Sequence, residues 1–149
     1  MTLREKARLL PAAVVLALTL WAEARGETLE GRVAVACVVR NRMARRRQTA
    51  ADVCLAPAQF SCWNAGRDAN HRALADLVTT LAAGRSIQDP IVRECQWIAD
   101  GVLSGACRDI TKGADHYLTT ALLSSTKKPG WVGAMTWVAT IGSHAFYRS

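Results

Sequence analysis

Acidic residues, histidines and long apolar runs are all scarce in this chain of 149 residues. Its 12 Asp and Glu face 19 Lys and Arg, a formal charge of +7 that favours polyanionic partners. Only three histidines occur, His71, His116 and His144, scattered without an HxxxH-type pair, so the metal-binding helix of a zinc peptidase is not written in the sequence. The five cysteines include no CxxC pair, which removes the usual zinc framework. The longest apolar run, Leu9 to Ala22, has 14 residues, short of the roughly 20 that span a bilayer. Low-complexity tracts, linkers and solenoid-length repeats are missing too. One domain over residues 1–149 is expected, with 1–8 the part most open to flexibility.

What is abundant is arginine, fifteen residues against four lysines, densest at Arg40, Arg42, Arg45, Arg46 and Arg47. Such a cluster reads equally as an anion-binding patch and as a solvated helix end whose cations complement the helix dipole. No zinc-finger spacing, RNP-like strand or clear helix-turn-helix accompanies the charge, and no nucleic-acid partner is expected. Among the cysteines, Cys37 sits in the apolar run Val33 to Val39 and reads as a buried thiol. Cys54 with Cys62 and Cys95 with Cys107 are the pairings to test. Were they to form, they would place the protein in an oxidising compartment.

Residues 1–24 imitate a secretory signal. Arg4, Lys6 and Arg8 precede the apolar stretch, and Ala22-Glu23-Ala24 resembles a small-x-small cleavage site. A Glu at the centre of that site and polar chemistry immediately after it argue for a buried helix instead. No confident cleavable signal and no stable membrane span are expected.

Thr2 with Glu5 is spaced as a capping box. Pro11 suits the first turn of a helix reaching Arg25, with Gly26 as a left-handed terminator. Thr28 reads as the N-cap of a helix to about Arg45, its apolar stripe formed by Leu29, Val33, Ala36, Val39 and Met43. The two helices should pack antiparallel and bring Glu23 and Glu27 to their junction. A short helix over Ala50 to Leu55, an irregular stretch from Ala56 to Asn70, and a helix from His71 to Ala83 closed by Gly84 follow. Asp89-Pro90 then starts a helix ending near Gly101 to Gly105. After a turn at Asp109 to Gly113, β-prone runs cover Ala114 to Leu118 and Trp137 to Tyr147. The fold class is α+β, mostly helical, with a small sheet late in the chain.

Cleaving a glycosidic bond requires a carboxyl group that holds a proton until the leaving oxygen takes it, which apolar surroundings favour. Glu23, after Leu20, Trp21 and Ala22, is placed for that role, although a lone helical Glu is ordinarily a solvated surface group. Five segments widen the signal: LALTLWAEARGE (16–27), EGRVAVACVVRNRM (30–43), QFSCW (59–63), DITKGADHY (109–117) and, after Pro129-Gly130-Trp131, IGSHAFY (141–147). In this order, over about 130 residues, they resemble the SleB/CwlJ-type cell-wall hydrolases, which include spore cortex-lytic enzymes and related phage endolysins.

The resemblance implies a lysozyme-like domain acting on peptidoglycan glycan strands, as a lytic transglycosylase or muramidase, without metal or cofactor. It maps the catalytic glutamate to Glu23, with Glu27 as second candidate; no paired Asp stands beside Glu23 in the sequence, though Asp109 or Asp115 could approach in space. Gln59, Phe60, Ser61, Trp63, His116 and Tyr117 are candidate substrate contacts, each with a structural alternative in a packed loop or sheet. Arg25 would hold Glu27 or a substrate anion, while Asn41, Arg42 and His144 read as structural. A bare, basic, monomeric endolysin acting at the wall or periplasm fits the build. Two alternatives remain open: a zinc amidase or peptidase of the peptide stems, and a non-enzymatic basic adaptor at membrane or wall.

Overall fold

The computed structural model describes residues 1–64, 66 and 70–149. Residues 65 and 67–69 of the expected irregular stretch lie outside the described residues. Among the described residues, seven helices are followed or interleaved by a small sheet: α1 (Leu3–Ala7), α2 (Ala12–Ala24), α3 (Leu29–Arg46), α4 (Ala50–Leu55), α5 (His71–Ala82), α6 (Pro90–Ser104), β1 (His116–Thr119), α7 (Thr120–Leu123), β2 (Thr136–Ile141) and β3 (His144–Arg148). Short 3-10 turns cover Ser61–Trp63 and Gly130–Gly133.

The apolar run is the central helix. Every residue of α2 from Val15 to Ala22 is buried, because a helix apolar on all sides can satisfy none of its faces with water. It packs against α3, α4 and α6. Each fully buried Leu along it (Leu16, Leu18, Leu20) contributes roughly 1.5–3 kcal/mol. Its one buried hydroxyl, Thr19, donates to Val15 O at 2.8 Å and accepts from Trp63 Nε1 at 3.0 Å. Among the described residues, no helix is long and apolar enough to cross a membrane.

Local signals account for most boundaries. Thr2–Glu5 and Thr49–Asp52 form capping boxes, Thr28 caps α3 through Gly31 N, and Asp89 caps α6 with Pro90 in its first turn. Two expectations at α2 are corrected. Pro11 is its N-cap rather than its first residue, and the helix ends through Arg25 in an ordinary helical conformation. Gly26 is not among the residues of positive φ; the turn into α3 needs no left-handed residue, because Thr28 restarts the helix so soon.

The sheet has the order β1-β3-β2, all antiparallel. Its inner face sets Tyr117, Ala139 and Phe146 against Ala34 and Val38 of α3. Its outer face carries Leu118, Ala145 and Tyr147 beneath Trp131. Gly142-Ser143 is the two-residue turn between β2 and β3. Gly142 has φ of 58°, the positive first position of a II′ hairpin turn.

No disulfide joins any of the five cysteines, which corrects both suggested pairings. Burial pushes the Cys37 and Cys95 thiols up to about 11 and Cys54 to about 12, as expected of apolar packing groups. The oxidising-compartment argument goes with the bridges. The arginine cluster divides as well. Arg42 is buried and donates to Asp115 O at 2.7 Å, Arg40 donates to Cys107 O, and Arg45 pairs with Asp115 at 3.3 Å. Arg46 and Arg47 remain exposed at the end of α3.

Candidate active site

Glu23 occupies the last turn of α2, half-buried, where the helix emerges from the core. Its Oε1 accepts from Cys62 N at 3.0 Å, so the Ser61–Trp63 turn fixes the carboxylate from the side. That turn is itself anchored by Trp63 on Thr19, one helical turn earlier. Among the described residues, nothing hydrogen-bonds Oε2 of Glu23. The hydroxyl of Tyr117 lies within electrostatic reach. Burial raises its pKa well above the ordinary phenol value and the Glu23 charge adds to the rise, so Tyr117 is a neutral hydroxyl beside the carboxylate.

Glu27, four residues on, has different surroundings. Ser143 donates to both its oxygens, from N to Oε1 at 3.2 Å and from Oγ to Oε2 at 2.6 Å. His144 Nδ1 stands 3.2 Å from Oε1. The side-chain hydrogen bond from Ser143 is the main reason its carboxyl is held below the ordinary range, against the opposing effect of burial. Two glycines shape its seat. A Cβ on Gly31 would come within 2.9 Å of Glu27 Cβ, and one on Gly142 within 3.0 Å of Oε1. Glu27 thus clamps the α2–α3 turn to the β2–β3 hairpin. Burial lowers the pKa of His144, which stacks edge-on against Tyr117 at 4.9 Å.

The two aspartates suggested as partners are committed elsewhere. Asp109 organises its own turn, accepting from Thr111 N and Oγ1, Gly113 N and Asn41 Nδ2 at 2.6–3.0 Å. Asp115 is buried and accepts from Ser149 N and Oγ, with His116 Nδ1 at 3.1 Å and Arg45 at 3.3 Å. Burial opposes its ionisation, yet these donors outweigh it and bring the carboxyl to about 2.

The QFSCW segment splits by depth. Gln59 and Ser61 are exposed, and Gln59 Oε1 accepts from Arg42 at 3.3 Å. Phe60 and Trp63 are only 3% and 2% exposed, packing groups rather than a stacking surface, because Trp63 finds its polar partner inside the core. His116 and Tyr117 are consecutive in β1 and therefore face opposite sides. Tyr117 points inward, near Glu23, whereas His116 meets Trp131 at 5.1 Å on the outer face. One cleft does not hold both. Arg25 stacks on Trp21 at 4.1 Å and bonds Trp21 O and Asn70 Oδ1, not Glu27. Sequence reasoning missed the Cys62 amide and the Ser143–His144 cradle. The only trace of the cradle was the IGSHAFY segment, with its turn-forming Gly-Ser.

Among the described residues, no group of three His, Cys, Asp or Glu side chains is arranged to hold a metal ion.

The candidate site is thus a half-buried carboxylate on the tip of a core helix, in a mostly helical fold with a small antiparallel sheet. The same fold is seen in the catalytic domain of the germination-specific lytic transglycosylase SleB from Bacillus anthracis (TM-score 0.62, 23% identity, covering 92% of this chain and 93% of that one). It is also seen in the catalytic domain of the Bacillus cereus SleB protein (TM-score 0.58, 22% identity, covering 92% and 89%). No curated protein gives a significant match. The family model described as Cell Wall Hydrolase matches residues 26–147, and the chain belongs to that family. The matched span includes Glu27 and begins just after Glu23.

Proposed function

We propose that this cell wall hydrolase cuts the glycan strands of peptidoglycan as a lytic transglycosylase, with Glu23 as its proton-transferring group. The observation that carries the reading is the contrast in bonding. Among the described residues, Glu23 keeps one oxygen unbonded at the tip of α2, whereas both oxygens of Glu27 accept hydrogen bonds from Ser143. A general acid must reach the leaving oxygen, and a carboxylate saturated by protein donors does not. The likeness to a SleB domain described as a lytic transglycosylase supports the reaction class.

In the proposed reaction, Glu23 Oε2 delivers a proton to the glycosidic oxygen as the bond to the muramoyl C1 breaks. The muramoyl 6-hydroxyl attacks C1, and the same carboxylate, now a base, takes the hydroxyl proton. An internal anhydro ring closes, no water is consumed, and the enzyme returns to its starting protonation state. No second catalytic carboxylate is needed, consistent with the commitment of Glu27, Asp109 and Asp115 to structure. The Cys62 amide orients Glu23, the Tyr117 hydroxyl lies beside it, and the exposed Gln59 and Ser61 are the candidate sugar contacts of the neighbouring turn.

In this reading the chain works as one catalytic domain and a monomer, on the periplasmic wall as an endolysin would. Mass analysis of digested peptidoglycan tests the reaction. Anhydro-muramoyl ends are expected; reducing muramic ends would mean a hydrolytic muramidase, and free stem peptides an amidase.

A further inference from the structure

A concave feature lies beyond the Ser61–Trp63 turn, between α1 and α5. It is a cavity of about 370 Å³ lined by Thr2, Leu3, Arg4, Trp63 and His71. Two nitrogens of these residues, Arg4 Nε and His71 Nδ1, are buried without a hydrogen-bond partner among the described residues. Unpaired buried polar atoms are rare and costly in folded proteins, and each calls for a reason. No carboxylate lines the cavity among the described residues. The nearest in sequence, Glu5, is turned to its own capping box, accepting from Thr2 N at 2.8 Å. Arg4 is oriented by a 3.0 Å bond from its guanidinium to Asn64 Oδ1. His71 opens the 12-residue helix α5, whose N-terminus has no side-chain cap among the described residues and carries the positive end of the helix dipole. Among the described residues, a guanidinium, an imidazole and a helix N-terminus meet here with no anion to balance them.

The position ties this cavity to the candidate site. Cys62 holds Glu23, the next residue, Trp63, lines the cavity, and Asn64 holds Arg4. At about 2 Å of rise per residue in a 3-10 turn, the two features lie within the reach of one short peptide. We propose that the Arg4–His71 cavity is a carboxylate-binding subsite for the peptide stem carried by the muramic acid next to the scissile bond. This rests on the glycan-cleaving reading of the Glu23 site. The stem leaves its sugar through the lactyl group and bears free carboxylates, the chemistry that a planar guanidinium recognises through paired hydrogen bonds.

The test compares two substrates, peptidoglycan with its stems and glycan strands stripped of them by an amidase. The native enzyme should cut the stemmed strands with about tenfold higher kcat/KM, a typical effect of one charge-assisted contact. Arg4→Gln and, separately, His71→Gln should remove most of that preference through KM, leaving kcat and the rate on stripped strands within about twofold. Equal losses on both substrates, or a native enzyme indifferent to stems, would overturn the proposal. A second measurement stands apart from catalysis: titration with the dipeptide alanyl-γ-glutamate, read at the His71 imidazole resonances. A saturable shift that is lost in Arg4→Gln supports the subsite even if neither strand is cut, in which case only the catalytic reading fails. No shift, or an equal response to inorganic phosphate, overturns it.

Discussion

The tip of α2 and the sheet side of the molecule treat their carboxylates in opposite ways. On the sheet side Glu27, Asp109 and Asp115 each accept two or more hydrogen bonds, and all three are held below the ordinary carboxyl range. At the tip of α2, Glu23 has one bond among the described residues, from a backbone amide. Saturated carboxylates join elements together; the one left open is available for chemistry. The difference separates a clamp from a candidate catalyst, although the two glutamates lie on either side of the same short turn.

The sharpest way to break this comparison is to neutralise each glutamate in turn. Glu23→Gln should reduce turnover of peptidoglycan by roughly 10²–10⁴-fold, the usual contribution of a general acid–base group, with little change in Tm. Glu27→Gln should lose less than about tenfold in rate but about 1 kcal/mol of stability, as a charge-assisted clamp becomes a neutral one. Turnover assays and thermal melts on both proteins decide it. Equal rate losses would erase the distinction.

Acid should act on the sheet side first. Asp115 falls from its ordinary 3.8 to about 2 in the folded protein. Its contribution is therefore complete above about pH 4 and is lost as pH drops toward 2. The shift is worth roughly 2 kcal/mol. Glu27, also lowered, has the same sign. His144 is lowered from 6.5 by burial, so its protonation favours the unfolded chain and stability declines as pH falls below 6.5. Melts from pH 7 to pH 2.5 should show this decline, and Asp115→Asn should flatten its most acidic part while costing roughly 2 kcal/mol at neutral pH. A native protein equally stable at pH 3 and pH 7 would contradict the assignment.

Gly142→Ala probes the clamp's geometry. The positive φ costs roughly 1 kcal/mol for a residue with a Cβ, and the new methyl would stand 3.0 Å from Glu27 Oε1. The expected loss is about 1–2 kcal/mol by denaturant melts. In a Glu27→Ala background it should shrink toward the φ cost alone, because contacting residues are not additive.

Most of the helical frame was legible because its signals are local: caps at Thr2, Thr28, Thr49 and Asp89, left-handed Gly84 and Gly105, and β-prone runs late in the chain. The apolar run before Glu23 was harder to read. An all-round apolar helix has no periodicity to distinguish a core element from a secretory leader; in the structure it packs against α3, α4 and α6. The candidate site was legible in part. Glu23 stood out by its place after that run, but its amide donor is 39 residues away, and Ser143 lies 116 residues from Glu27. For Phe60 and Trp63 the choice between substrate contact and packed loop stayed open, because composition does not reveal depth. Trp63 is buried through a bond to Thr19, 44 residues distant. Cysteine spacing was equally silent, since disulfides depend on the approach of Cβ atoms in space.

The smallest expected effect is at Tyr117, where the two regions meet. Its ring packs on the sheet side against His144 and Phe146, while its hydroxyl senses the Glu23 charge. No hydrogen bond joins the two residues, so Tyr117→Phe removes a neutral dipole near the carboxylate and leaves the packing intact. A dipole acting without contact is worth well under the roughly 1.4 kcal/mol that equals tenfold in rate. Turnover should therefore fall about two- to fivefold, with Tm unchanged within about 2 °C. Because burial holds the phenol neutral across the working pH range, the shape of the pH–rate profile should not change. If Tyr117→Phe instead abolished turnover as Glu23→Gln is expected to, the hydroxyl would be a direct participant in proton transfer, and the division between an open carboxylate at the helix tip and a purely structural sheet side would have to be redrawn.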